Sequence, residues 1–125
     1  MQQGVILLAD DNMSSVLTIG EYVEAHGYKV VVAHDGAEAI EKAEATHPDL
    51  ILMDIQMPVM NGLEAIARLR GRASFANTPI IALTALAMPG DREHSLLAGA
   101  NEYMSKPVSL KELVKSIRQL LGGEK

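Results

Sequence analysis

Residues Ile51–Gly62, ILMDIQMPVMNG, open as a buried strand, close as the start of a helix, and carry one carboxylate, Asp54, at the turn between the two. That acid directly follows the apolar run Leu50-Ile51-Leu52-Met53. An uncompensated buried charge is costly, so an acid at the end of a strand this apolar must be compensated from elsewhere in the chain. A run with no polar alternation is also the mark of a parallel strand covered on both faces.

Outward from this strand the same pattern repeats. Val5–Ala9, Val30–Ala33, Ile80–Leu83 and the weaker Glu102–Ser105 read as four more strands, alternating with five helical patterns. Asp35 with Glu38, Asn61 with Glu64 and Ser109 with Glu112 have capping-box spacing, a small polar residue followed three positions later by an acid. Gly27, Gly71, Gly99 and Gly122 fall where the first, third, fourth and fifth helices should stop. Leu110, Leu113, Val114, Ile117, Leu120 and Leu121 form a stripe of 3.6-residue period on the last helix. The fourth helix, after Pro89-Gly90, carries the weakest signal.

Strands alternating with helices imply a parallel sheet with helices on both faces. The expected fold is a doubly wound α/β domain, flavodoxin-like, with five strands in the order 2-1-3-4-5. It spans residues 1–121, and 122–125 form a tail. In such sheets ligands bind beyond the carboxyl ends of the strands, where the winding reverses.

At those ends stand Asp10 and Asp11 after strand one, Asp54 after strand three, Thr84 after strand four, and Lys106-Pro107 after strand five. Taken singly, each has an ordinary reading: a turn former, a strand threonine, a solvated lysine. Asp35 and Asp91 are read as helix-start residues. Together, five residues of these types at the ends of four adjacent strands are specific. Three acids against one lysine leave an excess of negative charge, which raises carboxylate pKa values and destabilises the site. A divalent cation removes that excess, and an all-oxygen donor set without His or Cys selects Mg²⁺ over Zn²⁺. Thr84 and Lys106 can then meet phosphoryl oxygens, and Asp54 becomes a carboxylate nucleophile toward phosphorus.

Composition narrows the function classes. With 125 residues, 48% of them hydrophobic, the chain has one domain's worth of core. A net charge of −5 argues against nonspecific nucleic-acid binding. Four aromatic residues, Tyr22, Tyr28, Phe75 and Tyr103, are too few for a base-stacking surface. No apolar run is long enough to span a membrane. The absence of cysteine excludes disulfides and thiolate metal sites, and a cytoplasmic location is the default. His26, His34, His47 and His94 show no metal-binding or dyad spacing.

The motifs LLADDN (Leu7–Asn12), MDIQMPVMNG (Met53–Gly62), IIALTA (Ile80–Ala85) and YMSKPV (Tyr103–Val108) resemble those of the receiver domain of two-component response regulators, over essentially the whole chain. The resemblance implies that Asp54 accepts a phosphoryl group from a histidine kinase or histidine phosphotransfer domain. It implies Mg²⁺ held by Asp11, Asp54 and the backbone carbonyl of Gln56, with Asp10 acting mostly through water. Lys106 would pair with the phosphoryl group, ahead of a cis bond to Pro107. Thr84 would be the switch hydroxyl, and Tyr103 the aromatic that turns inward once Thr84 moves. The surface of helix four, strand five and helix five would be the one a partner reads, and a dimer formed on phosphorylation fits the same picture. Gln56 and Leu86 lie two residues beyond Asp54 and Thr84, and neither can activate a hydrolytic water. Dephosphorylation without marked self-acceleration follows.

The wording of MDIQMPVMNG and AGANEYMSKPV is similar to receivers attached to hybrid histidine kinases, with a stand-alone regulator second. No DNA-binding segment follows residue 121, so direct control of transcription is not expected. As an isolated domain the chain is not expected to be an enzyme beyond its own phosphotransfer and dephosphorylation. A phosphohydrolase with an aspartate nucleophile would want an acid where Gln56 stands. An FMN carrier would need a hydroxyl- and glycine-rich loop where Asp10-Asp11-Asn12-Met13 stands.

Overall fold

In the computed structural model, residues 4–85 and 88–122 are described, so the expectation concerning Leu86 lies outside the described residues, as does most of the 122–125 tail. The chain runs β1 (Val5–Ala9), α1 (Met13–Ala25), β2 (Lys29–Ala33), α2 (Gly36–Thr46), β3 (Leu50–Asp54), α3 (Gly62–Arg70), β4 (Ile80–Thr84), α4 (Asp91–Ala98), β5 (Glu102–Ser105) and α5 (Leu110–Leu120), with a 3-10 turn at Ala73–Phe75. All strand pairings are parallel, in the order β2-β1-β3-β4-β5. This is the doubly wound five-stranded fold expected from the sequence. Strands β2, β3 and β4 are each one residue longer than their apolar runs, and two of those extra residues are Asp54 and Thr84.

Every residue of β3 and β4 is buried. Alternate side chains leave the sheet on opposite faces, which divides the core in two. Leu7, Ile51, Met53, Ile80 and Ala82 pack with Ala39, Ile40, Ala65, Ile66 and Leu69 of α2 and α3. Ile6, Leu8, Leu50, Leu52, Ile81 and Leu83 pack with Ile19 and Val23 of α1 and Leu113 and Ile117 of α5. No helix of the described residues is long and apolar enough to cross a membrane.

The helix starts follow the capping boxes: Asp35, Asn61 and Ser109 each accept a hydrogen bond from the backbone N–H of the acid three residues on. Asn12 caps α1 by the same device, accepting from Ser15 N at 3.0 Å. The helix ends are less uniform. Gly27, Gly99 and Gly122 have positive φ, but Gly71 ends α3 in a right-handed conformation. Helix α2 stops at His47, a non-glycine residue at φ 48° whose ring stacks on Phe75 at 6.0 Å.

Arg70, the last residue of α3, ties together segments distant in sequence. Its Nε donates to Gly99 O (2.9 Å), one Nη to Phe75 O (2.6 Å) and the other to Asn101 Oδ1 (2.9 Å). Asn101 Oδ1 also accepts from Ile80 N at 2.8 Å, which anchors the start of β4. Hydrogen bonds from a charged donor to partners away from bulk water are among the stronger ones. Arg70→Ala is expected to lower stability by about 2–3 kcal/mol, read as a lower urea midpoint with an unchanged slope.

Candidate functional site

Strand register determines which residues share the rim. Ala9 lies opposite Met53, so Asp10 and Asp54 follow side by side. Asp54 lies opposite Leu83, which puts Thr84 one step beyond, and Thr84 lies opposite Ser105, the residue before Lys106. The Lys106 backbone N–H donates to Thr84 O at 2.7 Å, and the Lys106–Pro107 peptide is cis.

The Lys106 ammonium bridges two buried acids, 2.6 Å from Asp10 Oδ2 and 3.1 Å from Asp54 Oδ2. Asp10 is fully buried, Asp54 4% exposed and Thr84 fully buried. Each acid spends its other oxygen in the same local turn: Asp10 Oδ1 accepts from Asn12 N (2.9 Å), and Asp54 Oδ1 from Gln56 N (2.8 Å). Asp11 faces solvent, and so does Gln56.

One carboxylate oxygen from each of Asp10, Asp11 and Asp54 lies within 4.8 Å of the others. That is the scale of one octahedral oxygen shell, whose opposite ligands stand roughly 4 Å apart around Mg²⁺. The residues present therefore fit the ion. Burial pushes the Asp54 carboxyl above its ordinary range, and the nearby Asp10 charge adds to the rise; the Gln56 N–H and Lys106 only partly offset it. Burial alone would lower Lys106, but hydrogen bonds and charge from Asp10 and Asp54 outweigh it and hold the ammonium above its usual value. The lysine stays charged, and Asp54 resists ionising.

Gly62 makes the turn after Asp54 fit. Its N–H donates to Ile55 O, and a Cβ built there would stand 2.2 Å from Asp54 O and 2.7 Å from Ile55 Cα. Both neighbours are backbone and cannot rotate away. Gly62→Ala is expected to cost about 3 kcal/mol, seen as a lower melting temperature, and to blunt Asp54 reactivity by displacing its backbone.

Tyr103, on β5 opposite Ala82, is half-buried against the β1–β3–β4 face carrying α2 and α3. Among the described residues its hydroxyl is buried without a hydrogen-bond partner, and burial, with the Asp91 charge, pushes the phenol upward. Asp91 begins α4 and accepts from Met88 N at 2.8 Å. Sequence reasoning missed Ser95 of α4, a fully buried serine whose hydroxyl also lacks a partner among the described residues. A buried serine among exposed leucines leaves no periodic signal.

Known proteins are similar to this chain in sequence and fold. The profile of the response regulator receiver domain matches residues 6–118. The polar-differentiation response regulator DivK of Brucella ovis is 38% identical over 117 residues, covering 94% of this chain and 95% of DivK. The receiver domain of sensor histidine kinase PA1611 from Pseudomonas aeruginosa, whose crystal structure has a magnesium ion coordinated in the active site cleft, is 39% identical with a TM-score of 0.88, over 95% of this chain and 98% of that one. The signal receiver domain of a signal transduction histidine kinase from Syntrophus aciditrophicus is 33% identical with a TM-score of 0.88, over 98% and 92%. The chain belongs to the response regulator receiver domains of two-component signalling.

Proposed function

We propose that Asp54 accepts a phosphoryl group from a phosphohistidine donor in an Mg²⁺-dependent reaction, and that a partner reads the result on the surface of α4, β5 and α5. The observation that carries this reading is the Lys106 ammonium shared between two buried strand-end carboxylates, one of which, Asp54, is held against its own ionisation.

An Asp54 carboxylate oxygen attacks phosphorus and forms the P–O bond of an acyl phosphate, while the P–N bond of the donor breaks and its electron pair stays on the imidazole nitrogen. Lys106 leaves its carboxylate partners to pair with a phosphoryl oxygen, and the Thr84 hydroxyl donates to another. Asp10, Asp11, Asp54 and the Gln56 carbonyl would hold Mg²⁺, which when bound neutralises the charge that three acids and a phosphoryl group bring together.

The donor is a histidine kinase or histidine phosphotransfer domain acting in the cytoplasm. A cleft of about 240 Å³ beside Lys106, lined by Ser15, Thr18, Ile19, Pro107 and Val108, offers such a partner a seat. Met13 and Leu17, 59% and 53% exposed on α1, add apolar surface. The likeness to two kinase receivers supports a place in a hybrid histidine kinase, and the likeness to DivK supports a separate regulator. The acceptor chemistry is the same in both.

The readout surface is suited to change. Helix α4 buries only Ser95, leaves Leu97 84% exposed, and shares with β5 two buried hydroxyls that have no partner among the described residues. An unpaired buried hydroxyl is destabilising, so a rearrangement that gives either one a partner is favoured. Incubation with acetyl phosphate and Mg²⁺ is expected to add one phosphate by intact mass, and chelation by EDTA to prevent it. Uptake indifferent to EDTA, or none at all, would refute the proposal.

A further inference from the structure

Helix α5 carries Lys111, Lys115 and Arg118 at spacings of four and three residues, one stripe along the helix. With Tyr22 and His26 of α1 they line an open groove of about 740 Å³. None of Asp10, Asp11, Asp54, Thr84 or Lys106 lines it. In a chain of net charge −5, five other cations are engaged: Lys42 with Glu38, Arg68 with Glu64, Arg72 with Glu44, Lys106 with Asp10 and Asp54, and Arg70 with backbone carbonyls, while the exposed Lys29 and Arg92, also without such a partner among the described residues, lie outside this groove. Among the described residues Lys111, Lys115 and Arg118 have neither an ion-pair nor a hydrogen-bond partner, although Arg118 is half-buried.

Like charges at helical spacing repel one another, and Glu112 is the sole acid among the described residues that line the groove. Beside the cations the half-buried Tyr22 and His26 rings lie 4.6 Å apart at 38°, with His26 Nδ1 2.9 Å from Tyr22 O. A fixed aromatic pair next to three cations matches a ligand with one planar ring and several phosphates, and the groove has the volume of a small-molecule site. We propose that the α1–α5 groove binds a nucleoside polyphosphate, the base on the Tyr22–His26 pair and the phosphates on Lys111, Lys115 and Arg118. The assignment does not rest on phosphoryl acceptance at Asp54.

The test is an amide NMR titration of the full chain with ATP, tripolyphosphate and adenosine, in EDTA so that the acidic rim takes no metal-bound phosphate. ATP is expected to shift the amides of residues 22–26 and 111–119 saturably, and to bind roughly fivefold or more tighter than tripolyphosphate, as base stacking requires. Lys115→Gln with Arg118→Gln should weaken ATP about tenfold or more. Lys115→Glu alone, at an exposed position, should do much of the same should the double variant fold poorly. Tripolyphosphate binding as tightly as ATP, shifts centred on Lys106 and Thr84, or a groove response unchanged in Lys115→Glu would each overturn the proposal.

Discussion

Asp54→Asn is expected to take up no phosphate from acetyl phosphate and Mg²⁺, and also to melt a few degrees higher than the wild type, the scale of about 1 kcal/mol for a domain of this size. Loss of uptake follows because an amide has no carboxylate nucleophile and cannot form the acyl phosphate. The gain in stability follows from the electrostatics of the rim. Burial holds the folded-state pKa of Asp54 above its unfolded value, and Asp10 adds to the rise. The folded state therefore binds more protons than the unfolded state just above the unfolded pKa, and stability falls as pH rises through that window. The deficit is present at neutral pH, which lies above the unfolded value. An uncharged Asn removes it, at the expense of a weaker bond to Lys106. Thermal melts of both proteins from pH 7 downward check the sign: the advantage of the variant should shrink as pH falls toward the ordinary aspartate range. A variant that still incorporates phosphate refutes the nucleophile. One that loses stability along with uptake refutes the strained acid.

The difference between what could and could not be read in the sequence has a physical basis. Asp10, Asp54, Thr84 and Lys106 were legible because each ends a strand, and a parallel sheet in the order 2-1-3-4-5 leaves those ends no choice of neighbours. The apolar run of β3 identified a strand covered on both faces, and Asp54 stood out as the polar residue such a strand should not have. Helix starts were legible because a cap is a local bond between residues three apart. Arg70 was not: a charged residue at a helix end is usually solvated, and its partners Gly99 and Asn101 are about thirty residues away, related to it by the fold alone. The stop of α2 at His47 was hidden because a left-handed cap is normally glycine, and here Phe75 supports the exception through its ring. The α4 seam was hidden because its inward residues, Asp91, Ser95 and Ala98, are small or polar while its leucines face out. Hydropathy reads such a helix the wrong way round.

Lys106→Ala is expected to cost the fold about 3 kcal/mol at pH 7, as removal of one partner from a buried ion pair does, and to slow phosphate incorporation roughly a hundredfold. The Lys106 side chain is 12% exposed, and its ammonium is the one cation within reach of the Asp10 and Asp54 side chains among the described salt bridges. Without it two desolvated carboxylates face each other, a repulsion of about 4 kcal/mol for unit charges 4 Å apart near a protein surface. Asp54, already raised by burial and now without the lysine that offsets the rise, then holds its proton more tightly folded than unfolded, so the variant should regain stability as pH falls from 7 toward the ordinary aspartate range. The alkaline side runs the other way. The folded-state pKa of Lys106 is raised, so the stability the wild type draws from it is complete below the unfolded lysine pKa and is lost as pH rises through the folded one; the alanine variant has no such loss to show. Ammonium and Mg²⁺ also answer the same excess of negative charge, so Mg²⁺ should raise the melting temperature of the variant by more than it raises that of the wild type. If Mg²⁺ shifts the two proteins equally, the lysine and the metal are not balancing the same carboxylates, and the rim is a salt bridge with acids nearby rather than a site built to exchange one cation for another.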